Sequence, residues 1–202
     1  MNYLAIDTSG KNLTILICKD GVSHWYFDSE CGVNHSVNLM PKLERLCLEH
    51  DFDLKNADFF SAVVGAGSFT GIRIGVSTVK ALCFAFNKPC LSITSFDTLA
   101  YNINSGKVLA VIDAKHNGFY VCGYENGKII YSPNYILKDQ LLELATGYTV
   151  VSLDDIQGLS VKKVDILKGL EIAIKENLDK VTTDIESLNP LYVRKSQAEE
   201  GR

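Results

Sequence analysis

Hydrophobic and polar positions change rhythm several times along the chain, and each change marks an element. Residues 2–7 and 12–19 are apolar runs of strand length, the second running into Asp20-Gly21, a pair whose permissive backbone suits a tight hairpin turn. A third strand over Val22 to Phe27 should follow. From Ser36 to His50 the spacing of Met40, Leu43, Leu46 and Cys47 is helical, with Pro41 most easily tolerated in the first turn. Ala57 to Val64 reads as a buried strand. Gly65-Ala66-Gly67-Ser68-Phe69-Thr70-Gly71 then separates it from a helix over Ile72 to Phe86, whose stripe is Ile72, Val76, Val79, Cys83 and Phe86. Pro89 stops that helix, and Cys90 to Ile93 gives a short strand.

The second half runs through a similar order: strands over Lys107–Asp113, Gly118–Tyr124 and Lys128–Tyr131, a helix over Asp139–Ala145, a strand over Tyr148–Ser152 and a helix over Val164–Leu178. An offset of 106 residues lays Ile6-Asp7 on Ile112-Asp113 and Gly21 on Gly127. An internal duplication is the economical reading. It predicts an α/β protein of two related lobes, residues 1–101 and 102–202. Three strands, helix, strand, helix, strand in duplicate is the layout of the actin, sugar kinase and Hsp70 superfamily.

Of 202 residues, 47% are apolar and 22% charged, and the formal net charge is -4. That balance gives no overall pull toward phosphate backbones or anionic lipid. The N-terminus lacks a basic segment and carries Asp7 early, so no signal peptide is expected, and no apolar run looks long enough to span a bilayer. The cysteines at 18, 31, 47, 83, 90 and 122 are never in Cys-x-x-Cys spacing and read as reduced core thiols of a cytoplasmic protein. Four scattered histidines (24, 35, 50, 116) offer no pair for one helix face, so no metal site is expected.

Two features carry candidate chemistry. Asp7, with Thr8 and Ser9 behind it, and Asp113 end the first strand of each lobe, where actin-like folds place carboxylates beside nucleotide phosphates; Asp at a strand end also bonds turn amides routinely. The loop of Gly65, Gly67, Ser68, Phe69, Thr70 and Gly71 lies between a strand and a helix, a setting that suits an anion. Equally, its glycines permit close packing. It lacks the Gly-Lys-Ser/Thr ending of a P-loop, and a dinucleotide site would want an acid where the next strand ends in Thr94-Ser95. The chain has no Gly-Gly pair to approach an adenosine. A small actin-like ATPase or kinase using Asp7 and Asp113 is the alternative reading.

The helix over Ile72 to Phe86 has a second apolar face, Ile74, Thr78, Ala81 and Ala85. It is either sandwiched inside its lobe or meets helices of another chain, and the Ser36 to His50 helix, through Leu39, Leu43 and Leu46, is its natural neighbour. Arg73 lies beside the loop, placed to bridge to a partner or to snorkel to solvent.

The run Gly65-x-Gly-Ser-Phe-Thr-Gly-Ile-Arg-Ile-Gly75 closely resembles the signature of the bacterial TsaB (YeaZ) family, in company with Ile6-Asp7-Thr8-Ser9, His35-Ser36, Leu39-Met40-Pro41, Ser95-Phe96-Asp97-Thr98-Leu99-Ala100, Ile112-Asp113-Ala114-Lys115 and Pro190-Leu191-Tyr192-Val193-Arg194. The chain departs from that family at Ala66 (usually Pro), Lys115 (usually Arg) and Gly118 (usually Glu). The resemblance implies an actin-like (ribonuclease H-like) fold with a reduced second lobe. It also implies a non-catalytic subunit that pairs with TsaD, which transfers the threonylcarbamoyl group to N6 of adenosine 37 in tRNAs reading codons that begin with A. TsaE, an ATPase, joins the complex; a homodimer through the same helices is expected when TsaD is missing. No cofactor is expected on the chain alone, a nucleotide would lodge at the junction of the complex, and tRNA would be reached through the partners.

Overall fold

The computed structural model describes residues 1–194. Tyr3–Asp7 (β1), Leu13–Lys19 (β2) and Val22–Asp28 (β3) form an antiparallel meander, and its second turn carries positive φ at Asp20 and Gly21. β1 is buried along its whole length because β2 flanks one edge and Phe59–Val63 (β4), parallel to it, flanks the other. Cys90–Ile93 (β5) lies parallel to β4, giving the order β3-β2-β1-β4-β5. Two helices cover this sheet, His35–Glu49 (α1) and Phe69–Phe86 (α2).

A second sheet repeats the plan. Lys107–Asp113 (β6), Gly118–Glu125 (β7) and Lys128–Leu137 (β8) form the meander, and Thr149–Val151 (β9) and Val161–Lys162 (β10) extend it in parallel, giving β10-β9-β6-β7-β8. Read from the other edge, this is the order of the first sheet, with Asp7 and Asp113 ending the equivalent central strands. The duplicated α/β actin-like layout is therefore present in both halves. Helices Ser95–Ala100 (α3), Lys138–Leu144 (α4) and Ile166–Glu176 (α5) accompany the second sheet. Gly169 lets α5 approach the Thr98 carbonyl of α3 so closely that a Cβ would overlap it.

The chain divides differently from the expected cut between 101 and 102. One unit is Met1–Ile93 with Glu176–Leu191; the other is Thr94–Lys175, resuming at Tyr192. α3 packs on β6, which draws it into the second unit. The segment after α5 returns to the first, where Thr182 exchanges backbone hydrogen bonds with Cys90 on the edge of β5. The tail over 195–202 lies outside the described residues.

Three local expectations also change. Pro41 sits inside α1 rather than in its first turn, because the helix already starts at His35, after a short 3-10 turn over Gly32–Asn34. The carbonyl that Pro41 leaves without an N–H belongs to Val37, an exposed residue of the helix's outer face. β8 runs on past Pro133, tolerable because its outer edge pairs with no strand among the described residues. α2 starts at Phe69, and at 18 residues with mean hydropathy 1.4 it is long and apolar enough by composition to cross a membrane, contrary to expectation. Gly71, Ile72, Gly75, Val76, Val79, Leu82 and Cys83 face the core of its own unit, however.

Candidate functional site

The glycine loop is a clasp on the end of β1. Thr8 donates its hydroxyl to the Gly71 carbonyl at 2.6 Å, and the Ser68 amide donates to the Ser9 carbonyl at 2.7 Å. A Cβ at Gly67 would overlap the Ser9 carbonyl, one at Gly71 the Thr8 carbonyl, and one at Gly75 would come within 2.6 Å of Thr8 Oγ1. Gly65, at φ 112°, is packed against Ile72 and the Leu191 carbonyl, while the Leu191 amide donates to Val64 at 2.7 Å. The motif glycines thus let one segment of backbone lie on another. The Gly65–Ala66 peptide is cis. Ser68 caps α2 by accepting from the Gly71 amide at 3.2 Å, so two of the loop's N–H groups are committed internally.

Asp7 lies beneath this clasp, 1% exposed. Its Oδ1 accepts from the Ser9 amide at 2.8 Å and the Ser9 hydroxyl at 2.6 Å. Burial pushes its carboxyl above the ordinary range, an effect that the two Ser9 hydrogen bonds and nearby His35 only partly offset. His35 Nε2 lies 2.9 Å from the Asn12 carbonyl, tying the start of α1 to the same hairpin. Asp113 makes the matching turn in the second unit, accepting from the Lys115 amide at 2.8 Å, but it is more open and pairs with the Lys115 ammonium at 2.8 Å. Burial pushes Asp113 up; the Lys115 hydrogen bonds and charge outweigh that and hold it below the ordinary range. Both aspartates have the strand-end, turn-bonding geometry. A side chain at Gly118 would run into the Tyr135 ring, so an acid there would require that ring to move.

The helix residues separate into two groups. Leu39, Leu43 and Leu46, expected to face a partner, are instead buried in the core of their own unit, because the inward stripe of α1 is the one that continues from His35. The outward residues are Val37, Met40 and Leu48, the last 76% exposed. On α2, Ala81 and Ala85 are exposed and Ile74 and Thr78 half-buried. Phe84, which periodicity did not single out, is 84% exposed between the two alanines. Arg73 is exposed, with its guanidinium 6.0 Å from the centre of the Phe69 ring. Two adjacent helices of one unit therefore carry uncovered apolar side chains. No group of three or more His, Cys, Asp or Glu side chains able to hold a metal occurs among the described residues.

Asp97 of the Ser95–Ala100 run has a structural task. It accepts from the Thr94 amide and hydroxyl, closing a capping box at the start of α3, and from the Tyr124 hydroxyl of β7 at 2.8 Å. Burial first, and then the Asp97 charge, push the Tyr124 phenol far up, so it stays a donor.

A family model described as TsaD, tRNA N6-adenosine threonylcarbamoyltransferase, matches residues 29–189. The tRNA threonylcarbamoyladenosine biosynthesis protein TsaB of Bacillus subtilis (strain 168) is 33% identical over 150 residues, covering 70% of this chain and 65% of that protein, just under two thirds of its length. The protein of the same name from Escherichia coli (strain K12) is 24% identical, covering 98% of this chain and 96% of the other. Among solved structures, an uncharacterized protein with similarity to peptidase YeaZ from Pseudomonas aeruginosa superposes with a TM-score of 0.77 at 21% identity, over 96% of this chain and 99% of that one, which shows the common fold. The chain belongs to this family, in its TsaB (YeaZ) branch.

Proposed function

We propose that the chain works in tRNA threonylcarbamoyladenosine biosynthesis as a non-catalytic scaffold that binds the TsaD-type transferase through the outer faces of α1 and α2. The observation that carries this reading is the apolar surface of Phe84, Ala81, Ala85, Val37, Met40 and Leu48, formed by two packed helices of one unit. Exposed apolar surface of this kind is costly unless something covers it. Small residues at α2 positions 81 and 85 allow a second helix to come close. The non-catalytic part draws support from the clasp. The close backbone approach that glycines could offer a phosphate is taken up by Thr8 and Ser9, and Asp7 is held by Ser9 in a buried site that disfavours its charge.

In this reading the chain is cytoplasmic, self-associates through the same helices when the transferase is missing, meets TsaE and tRNA through the complex, and binds no nucleotide alone; any nucleotide lodges where the subunits meet. The test is co-purification with the transferase from the same organism. Ala85→Arg should abolish it while circular dichroism and thermal unfolding stay those of the wild type, because the side chain is exposed. Undiminished binding would refute the assignment of this face.

A further inference from the structure

The edge of a sheet presents backbone N–H and C=O groups that can pair with another strand, and proteins blunt such edges with Pro, Lys, bulges, short strands or a covering segment. Three of the four sheet edges among the described residues are blunted in this way. β5 is covered where Thr182 exchanges backbone hydrogen bonds with Cys90. β8 starts with Lys128, carries Pro133, and pairs with β7 through register shifts between Val121 and Tyr124. β10 is two residues long. β3 has none of these devices: it pairs with β2 in unbroken register over seven residues, Val22 to Asp28, and contains no Pro, Lys, Arg or Glu. Among the described residues its backbone bonds to no strand but β2. Since β3 and β8 hold equivalent places in the duplicated sheets, the contrast is one of sequence rather than position. We propose that β3 pairs antiparallel with β3 of a second copy of this chain, about a two-fold axis at Tyr26, joining the two first-unit sheets edge to edge.

The edge is held ready from one face. Lys42 of α1 lies 5.2 Å from the centre of the Tyr26 ring, and His50 at the end of α1 stacks on His24. Side chains alternate between the faces of a strand, so antiparallel self-pairing sets opposite one another only residues that share a face. With Tyr26 on the axis, His24 lies opposite Asp28 twice and Trp25 opposite Phe27 twice, and the two Tyr26 side chains meet. The one carboxylate of β3 thereby faces its one imidazole. Phe27 is exposed and Trp25 half-buried, so their contact withdraws aromatic surface from water. An axis at Trp25 would set Asp28 against Val22, and an axis at His24 would set it against Asp20, a like charge. Five residues of each strand supply about four to six backbone hydrogen bonds, a small interface that associates weakly and shows at high concentration.

The test uses the full chain carrying Ala85→Arg, which leaves β3 untouched because α2 packs on β1, β4 and β5. Sedimentation equilibrium and amide chemical shifts are followed as the protein concentration is raised. A monomer–dimer equilibrium is expected, with concentration-dependent shifts centred on residues 23–28. His24→Asp sets like charges opposite one another and Asp28→Lys removes the pair, so each should weaken dimerisation by about three- to tenfold; the two together should restore it to within about twofold. Phe27→Lys, at an exposed position that spares the histidine stack, should weaken it similarly, and circular dichroism checks that every variant is folded. A monomer at every concentration, shifts confined to α1 and α2, or a double variant as weak as the single ones would overturn the proposal. The first of these results is also the one expected if the strand of a different protein takes this edge.

Discussion

Gly71→Ala reverses an ordinary expectation. In a helix, alanine is favoured over glycine by about 0.8–1.0 kcal/mol, so propensity alone makes the change stabilising. At Gly71 the new Cβ would overlap the Thr8 carbonyl, a backbone group in the buried segment that directly follows β1. Overpacking of this kind costs about 1–3 kcal/mol, at the upper end where backbone must move. The net expectation is a loss of roughly 1–2 kcal/mol, or about 2–8 °C in the midpoint of thermal unfolding for a chain of this size. Urea unfolding followed by circular dichroism measures it, with an unchanged slope required for the comparison. Gly75→Ala supplies the control, because its obstacle is the Thr8 hydroxyl rather than the carbonyl. Thr8→Ala should therefore rescue Gly75→Ala and leave Gly71→Ala as damaging as before, a coupling seen only between groups in contact. A stabilised Gly71→Ala protein, or equal rescue of both variants, would refute the clasp.

Two further predictions concern pH. Asp7 is raised in the folded chain, so the native state keeps a proton that the unfolded chain releases, and its contribution to stability falls as pH rises from about 4 through the folded value. Asp7→Asn, which keeps an acceptor for Ser9, should flatten that part of a stability–pH profile measured by urea unfolding, and an unchanged slope would contradict the assignment. His24 stacks on His50 with ring centres 3.8 Å apart; its own desolvation and then the His50 and Lys19 charges lower its proton affinity. A lowered histidine contributes fully above its unfolded value of about 6.5 and less as pH falls below it. Amide protection at β3 and the end of α1, corrected for the pH dependence of intrinsic exchange, should fall between about pH 7 and 5.5, and less so in His24→Phe; an identical fall in both would count against the pair.

Periodicity made the two meanders, the Asp-Gly turn and the central helices legible, because burial on both faces of β1 and β4 and on one stripe of α2 leaves a strong pattern. The duplication followed from Asp7 and Asp113, whose turns bond alike. Shorter elements escaped. α3 is six residues long, and its one legible signal was Thr94 followed three positions later by Asp97. β10, at two residues, gives no periodic signal. The glycine loop was equally consistent with an anion site and a packing turn, since glycine spacing records close approach without recording what approaches. The two stripes of α1 are both apolar. Only packing distinguishes Leu39, Leu43 and Leu46, inside, from Met40 and Leu48, outside.

The central claim is that this chain supports threonylcarbamoyl transfer through its helix faces rather than through chemistry of its own. Mass spectrometry of nucleosides from bulk tRNA tests it most directly, in cells lacking the gene and in the same cells given back the wild type, Ala85→Arg or Asp113→Asn. Threonylcarbamoyladenosine should fall in the deletion, return with the wild type and Asp113→Asn, and stay low with Ala85→Arg; normal levels in the deletion, or loss with Asp113→Asn and recovery with Ala85→Arg, would contradict the account.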